Sequence, residues 1–150
     1  KYLPMAERQA LVEAVARASG APRGEALMMS SAQLRDMRRR GMVIGAHTVQ
    51  HPILARLPEA QAAEQIVQGK AALEELLDER IGLFAYPNGK PGEDYRPEHV
   101  DIVRRAGFDA AVTTSPGAAG AGTDPFQIPR FSPWQRDRLR FGLSLARNLR

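Results

Sequence analysis

The stretch Gly41-Met42-Val43-Ile44-Gly45-Ala46-His47-Thr48-Val49-Gln50-His51-Pro52 decides how the chain reads. Met42, Val43 and Ile44 form a short apolar run that predicts a buried strand over residues 42–46. Gly45 and Ala46 are small, so another backbone or a ligand can come close. His47 and His51 follow at i, i+4, and one helical turn of separation aims two imidazoles at one spot, which suits a divalent metal. Thr48, between them, can hydrogen-bond the backbone or a substrate oxygen. The bland alternative is a pair of surface or satisfied core histidines, because a His-x-x-x-His spacing alone is a weak motif. Two features favour a site: the chain has only 3 histidines, and two of them stand together where a strand ends. Ligands in open α/β sheets and barrels collect at such carboxyl ends.

Around this stretch the composition is ordinary. The chain has 150 residues, 43% hydrophobic and 25% charged, which fits one domain (1–150) with a sizeable core. It has no cysteine, so disulfides and thiolate metal sites are excluded. No apolar run approaches the length of a membrane span, and no signal-peptide pattern appears, so the compartment is left open. The net charge of +4 gathers in Arg38-Arg39-Arg40 and in the arginines from Arg130 to Arg150. Such an excess marks a solvated face more often than a polyanion site, and without aromatic platforms or a known motif it argues against nucleic acid.

Upstream, Leu11, Val12, Val15 and Ala16 recur at helical spacing within residues 5–18, and Gly20, Pro22 and Gly24 then make a linker, so residues 1–24 read as helix plus linker. Ser30 or Ser31 caps a second helix, 32–40, stopped by Gly41. Downstream, Pro58-Glu59 opens a long helix to about Glu79 with an apolar stripe. A buried strand is predicted at 81–86, a loop at 88–92, a helix at 97–106 and a strand at 108–113. Residues 115–125 are loop by composition, 127–131 a strand, and 134–150 a terminal helix with Trp134, Arg138, Phe141, Leu145 and Leu149 on one face. That helix can lie on a membrane, but the blander expectation is docking on its own domain, with arginine stems over apolar surface. The alternation predicts an α/β fold with a mainly parallel sheet or barrel and helices outside.

At this point the residues resemble a known family. His47-Thr48-Val49-Gln50-His51-Pro52, after Met42-Val43-Ile44-Gly45, resembles the metal-binding motif of the NodB-like polysaccharide deacetylases, carbohydrate esterase family 4. Phe84-Ala85-Tyr86-Pro87-Asn88-Gly89 resembles the family's next motif, and residues 104–114 and Ile128-Pro129-Arg130-Phe131 are similar to its later passages. The likeness spans roughly residues 28–133. It implies a portion of a distorted (β/α) barrel and removal of N-acetyl groups from amino-sugar polysaccharides such as chitin or peptidoglycan. It also implies a divalent metal, usually zinc, with His47 and His51 as its two histidine ligands. Asn88 would give a backbone oxyanion contact, and Tyr86, Pro87 and Arg130 would line the substrate groove. The chemistry is intelligible: a metal polarises the acetamide carbonyl, a backbone N–H steadies the oxyanion, and a carboxylate base moves the proton.

The departures from that family carry as much information. Its early Thr-Phe-Asp-Asp motif, source of the base and third metal ligand, has no counterpart: Asp36, Asp78, Asp94, Asp101, Asp109, Asp124 and Asp137 all stand in other contexts. The late Leu-x-His segment is absent, Ala85 stands where the family has arginine, and His99 sits among charged helix neighbours as if exposed. The expectation is therefore the C-terminal part of a longer deacetylase, inactive alone, with self-association through the surface that truncation exposes. The competing readings are a non-catalytic carbohydrate-binding or scaffold domain of the same fold, and another metallohydrolase such as a phosphoesterase. Positioned cations for a phosphate are not evident near His47.

Overall fold

The computed structural model describes residues 3–20, 28–131 and 134–148, with the backbone alone for Met5, in two compact units, Lys1–Val43 and Ile44–Arg150. The first unit holds two helices, α1 (Met5–Ser19) and α2 (Ser31–Arg39). Gly20, left-handed at φ 58°, ends α1, while the predicted linker residues Pro22 and Gly24 lie outside the described residues. Ser30 caps α2: its hydroxyl accepts the Gln33 N–H, and the Gln33 side chain accepts the Ser30 N–H at 2.8 Å. The apolar residues Leu11, Val12 and Val15 of α1 are all exposed.

The second unit is a small parallel sheet with helical crossovers. Its two strands, β1 (Leu83–Ala85) and β2 (Ala110–Val112), pair in parallel with Phe84 opposite Ala111. Single parallel bridges extend the sheet on both sides, Ala46 to Phe84 and Val112 to Ile128. All four positions fall within the predicted strand ranges and pair in parallel as expected, but every strand is shorter. The buried strand expected at 42–46 shrinks to the bridge at Ala46, and Met42 and Val43 are exposed, because among the described residues no strand pairs with 42–45. The strand expected at 127–131 is a bridge at Ile128, hemmed by Pro125 and Pro129, which cannot donate to a ladder.

Helix α3 (Glu59–Leu77), entered from a 3₁₀ turn at Leu54–Arg56, links Ala46 to β1, and α4 (Pro97–Arg105) links β1 to β2. Phe84 projects into the core between them, against Phe108 and Tyr86 at ring separations of 5.2 Å. Leu54, Ala62, Ile66, Ile81, Val103 and Ala111 complete this core with almost no exposed surface. Leu83, on the opposite face of β1, stays 43% exposed, so among the described residues that face is only partly covered. The reading of 81–86 as wholly buried is corrected accordingly.

Two further expectations change. His99 is buried at 2% exposure: α4 turns His99, Val100, Ile102 and Val103 inward together, and the charged neighbours face out. The terminal helix α5 (Arg138–Asn148) starts four residues later than predicted, capped by Asp137, whose Oδ1 accepts the Arg140 N–H at 2.9 Å. Trp134 precedes the helix outside any regular element, and Leu149 lies outside the described residues. No residue of α5 is buried; the Asn148 side chain donates to the Gly117 carbonyl at 3.2 Å, so among the described residues the expected docking is limited to the C-terminal end of the helix.

Candidate active site

The carboxyl ends of the four parallel positions converge. His47 follows Ala46, Pro87-Asn88-Gly89 follow β1, Thr113-Thr114 follow β2, and Arg130 follows Ile128. Cross-links tie these ends together. Thr114 Oγ1 donates to the Asn88 carbonyl at 2.6 Å, the Thr114 N–H donates to Gly89 O at 2.9 Å, and the Arg130 N–H donates to Ser115 O at 2.9 Å. Gly89, at φ 77°, allows the first two, since a β-carbon there would stand 3.0 Å from the Thr114 nitrogen.

His47 and His51 meet edge to face with ring centroids 4.6 Å apart. They do so without a helical turn: residues 47–52 are loop, with Thr48 at φ 63° and His51 at φ 54° in the left-handed region. For a β-branched residue and for the residue before a proline this is costly, of order 1–3 kcal/mol each. Local bonds hold it. Thr48 Oγ1 accepts the His51 N–H at 3.1 Å, and Gln65 of α3 accepts the Gln50 N–H at 3.0 Å. Gly69, buried in α3, lets the helix pass within van der Waals contact of the loop; a β-carbon there would lie 3.0 Å from the Thr48 carbonyl carbon.

His47 Nδ1 lies 2.7 Å from the Ala85 carbonyl oxygen. A carbonyl only accepts, so Nδ1 carries the proton and the Nε2 lone pair is left to act as a ligand. Burial pushes the His47 pKa below its ordinary 6.5, and the nearby His51 and Arg130 charges act the same way against the Ala85 bond. The neutral imidazole, the form that binds metals, is thereby favoured. Arg130 is exposed beside this pair.

Tyr86 and Pro87 are placed differently from the implied groove lining, because both side chains are buried. Tyr86 stacks on Tyr95 at 3.9 Å and donates its hydroxyl to Phe126 O at 3.0 Å, and burial drives its pKa far above 10.0. Sequence reasoning missed Gln65, Gly69, Thr113 and Thr114. A glycine inside an otherwise strong helical pattern was the available signal for Gly69.

A parallel α/β unit with a histidine pair at its strand ends belongs to the class of folds that gather ligands at the carboxyl ends of their strands. Within that class the polysaccharide deacetylase family profile matches residues 9–111, and the chain belongs to that family. It is 24% identical over 102 residues to YxkH of Bacillus subtilis (strain 168), named as a polysaccharide deacetylase, over 68% of this chain and 35% of that protein. Its structure resembles the Streptococcus pyogenes deacetylase PplD, solved in complex with acetate (TM-score 0.65, 27% identity, 71% of this chain and 46% of that one). It also resembles IcaB from Ammonifex degensii (TM-score 0.63, 26% identity, 79% and 52%). The chain thus spans about a third to a half of these relatives.

Proposed function

We propose that this chain supplies the histidine half of a metal site, in a protein that removes N-acetyl groups from amino-sugar polysaccharides by metal-dependent hydrolysis. The observation that carries this reading is the convergence of His47 and His51, with His47 held by Ala85 in the tautomer that leaves Nε2 unprotonated. Two imidazole nitrogens fit a divalent ion such as Zn²⁺ as two of the three protein ligands that catalytic zinc sites use. When bound, such an ion polarises an amide carbonyl and lowers the pKa of a water. The chain's own residues position the reactants. The Asn88 backbone N–H is assigned to the developing oxyanion, and the exposed Arg130 guanidinium to the substrate side. We read the four parallel positions as part of a distorted (β/α) barrel.

Among the described residues no group of three or more His, Asp or Glu side chains is arranged to hold an ion. The 150-residue chain should therefore bind metal weakly and release no acetate by itself, the third ligand and the base coming from elsewhere. Titration with Co²⁺ or Zn²⁺ tests the first half, with His47→Ala and His51→Ala each abolishing the interaction; affinity that survives both substitutions overturns the ligand assignment. Acetate release from N-acetylglucosamine oligomers, with a chelator control, tests the second half on this chain and on a longer polypeptide that carries it. Robust release by the chain alone would show that the base is within it. Metal binding and sugar binding without turnover in the longer protein would favour a carbohydrate-binding domain.

A further inference from the structure

We propose that residues 134–148 form a docking surface for an anionic lipid bilayer. Leu139 and Leu143 stand four residues apart on one face of α5, 72% and 56% exposed. Arg140 and Arg147, seven apart, line up on the adjoining stripe. Among the described residues none of Arg136, Arg138, Arg140 and Arg147 joins an ion pair. The segment's one acid, Asp137, spends an oxygen on the helix cap. Trp134, the chain's one tryptophan, is 88% exposed just ahead of the helix.

Charge complementarity selects the occupant. Exposed leucines alone would accept any apolar partner. Arginines beside them, with no acidic partner among the described residues, favour a surface that is apolar below and anionic above, the make-up of a bilayer interface. Arginine stems can lie along the leucines while their guanidinium groups reach lipid phosphates. A second copy of the chain suits the face less well, since it would bring arginine stripes together. Among the described residues no helix is long and apolar enough to cross a membrane, so the segment would lie along the surface.

Vesicle co-sedimentation of the 150-residue chain tests this, read with Trp134 emission. The expected result is binding to phosphatidylglycerol vesicles with a blue shift, weakened by salt, and little binding to phosphatidylcholine vesicles. Replacing Arg140 and Arg147 by Gln should weaken binding by roughly thirty-fold, about fivefold per arginine. Leu139→Ser with Leu143→Ser should abolish the blue shift. Both double variants change exposed positions, and unchanged circular dichroism checks their folding. Equal binding to both vesicle types, or binding untouched by either double variant, overturns the proposal. So does capture by a soluble polyanion with unshifted emission and no vesicle binding. Dimerisation abolished by the leucine substitutions, without vesicle binding, would reassign the face to a second copy.

Discussion

His99 accepts the Arg96 N–H on Nδ1 at 2.9 Å, at the start of α4, with its ring closed off from solvent. Burial is the main cause that lowers its pKa from 6.5, with the Arg96 charge adding and the Glu98 and Glu59 charges opposing. Protonation would also remove the acceptor. The native state therefore takes up the proton at lower pH than the unfolded chain. Its contribution to stability is full above about pH 6.5 and is lost as pH falls toward the folded-state pKa. The denaturant midpoint should drop over that interval. His99→Gln, which keeps an acceptor at the same helix position, should remove part of the drop; an unchanged pH slope would show that His99 is not the group involved. Sequence reading placed this residue outside because Glu98 and Asp101 flank it, and flanking charge says nothing about which side of a helix a given residue takes. Helix period would have aligned it with Ile102 and Val103, both buried.

At the scale of elements, α3 serves both the core and the histidine loop. Ile66 is wholly buried in the core, and Ile66→Ala should cost about 2–5 kcal/mol in urea unfolding. Gly69 gives a sharper test, because two effects oppose each other. In a helix interior, Gly→Ala alone stabilises by about 0.8–1.0 kcal/mol. Here the new methyl would press on Thr48, so the loop has to move. We expect Gly69→Ala to weaken Co²⁺ binding by on the order of tenfold, the size of effect seen when support around a metal ligand is lost, with little fall in melting temperature. A variant that melts higher and binds Co²⁺ unchanged would show that the close approach is unimportant. The elements themselves were legible, since α3, α4 and both strands fall where periodicity and turn residues put them. The loop geometry was not. An i, i+4 spacing suggests a helical turn, whereas here the pairing depends on two left-handed residues braced by a helix 15 or more residues away. No local pattern encodes such a brace.

For the molecule as a whole, every wholly buried side chain among the described residues belongs to the second unit. A polypeptide of residues 44–150 should consequently keep its cooperative unfolding, with a melting temperature within a few degrees of the full chain. Loss of cooperativity would show that the first unit carries stability after all. The parallel pairing and the place of the histidine pair at a strand's carboxyl end could be read from alternation and motif order. Strand length could not, because it depends on which neighbours are present to pair, and 42–45 finds none among the described residues. The same sheet has a consequence for how the chain folds. Ala46, Phe84, Ala111 and Ile128 are neighbours in space, yet a helix or a long loop separates each from the next along the chain. No pairing in the sheet can form until a large loop closes, whereas α3 and α4 need only local contacts. Pulse-labelled hydrogen exchange during refolding should find amides of both helices protected before those of β1 and β2. The histidine pair, seated on the last structure to form, would then be among the final features to appear.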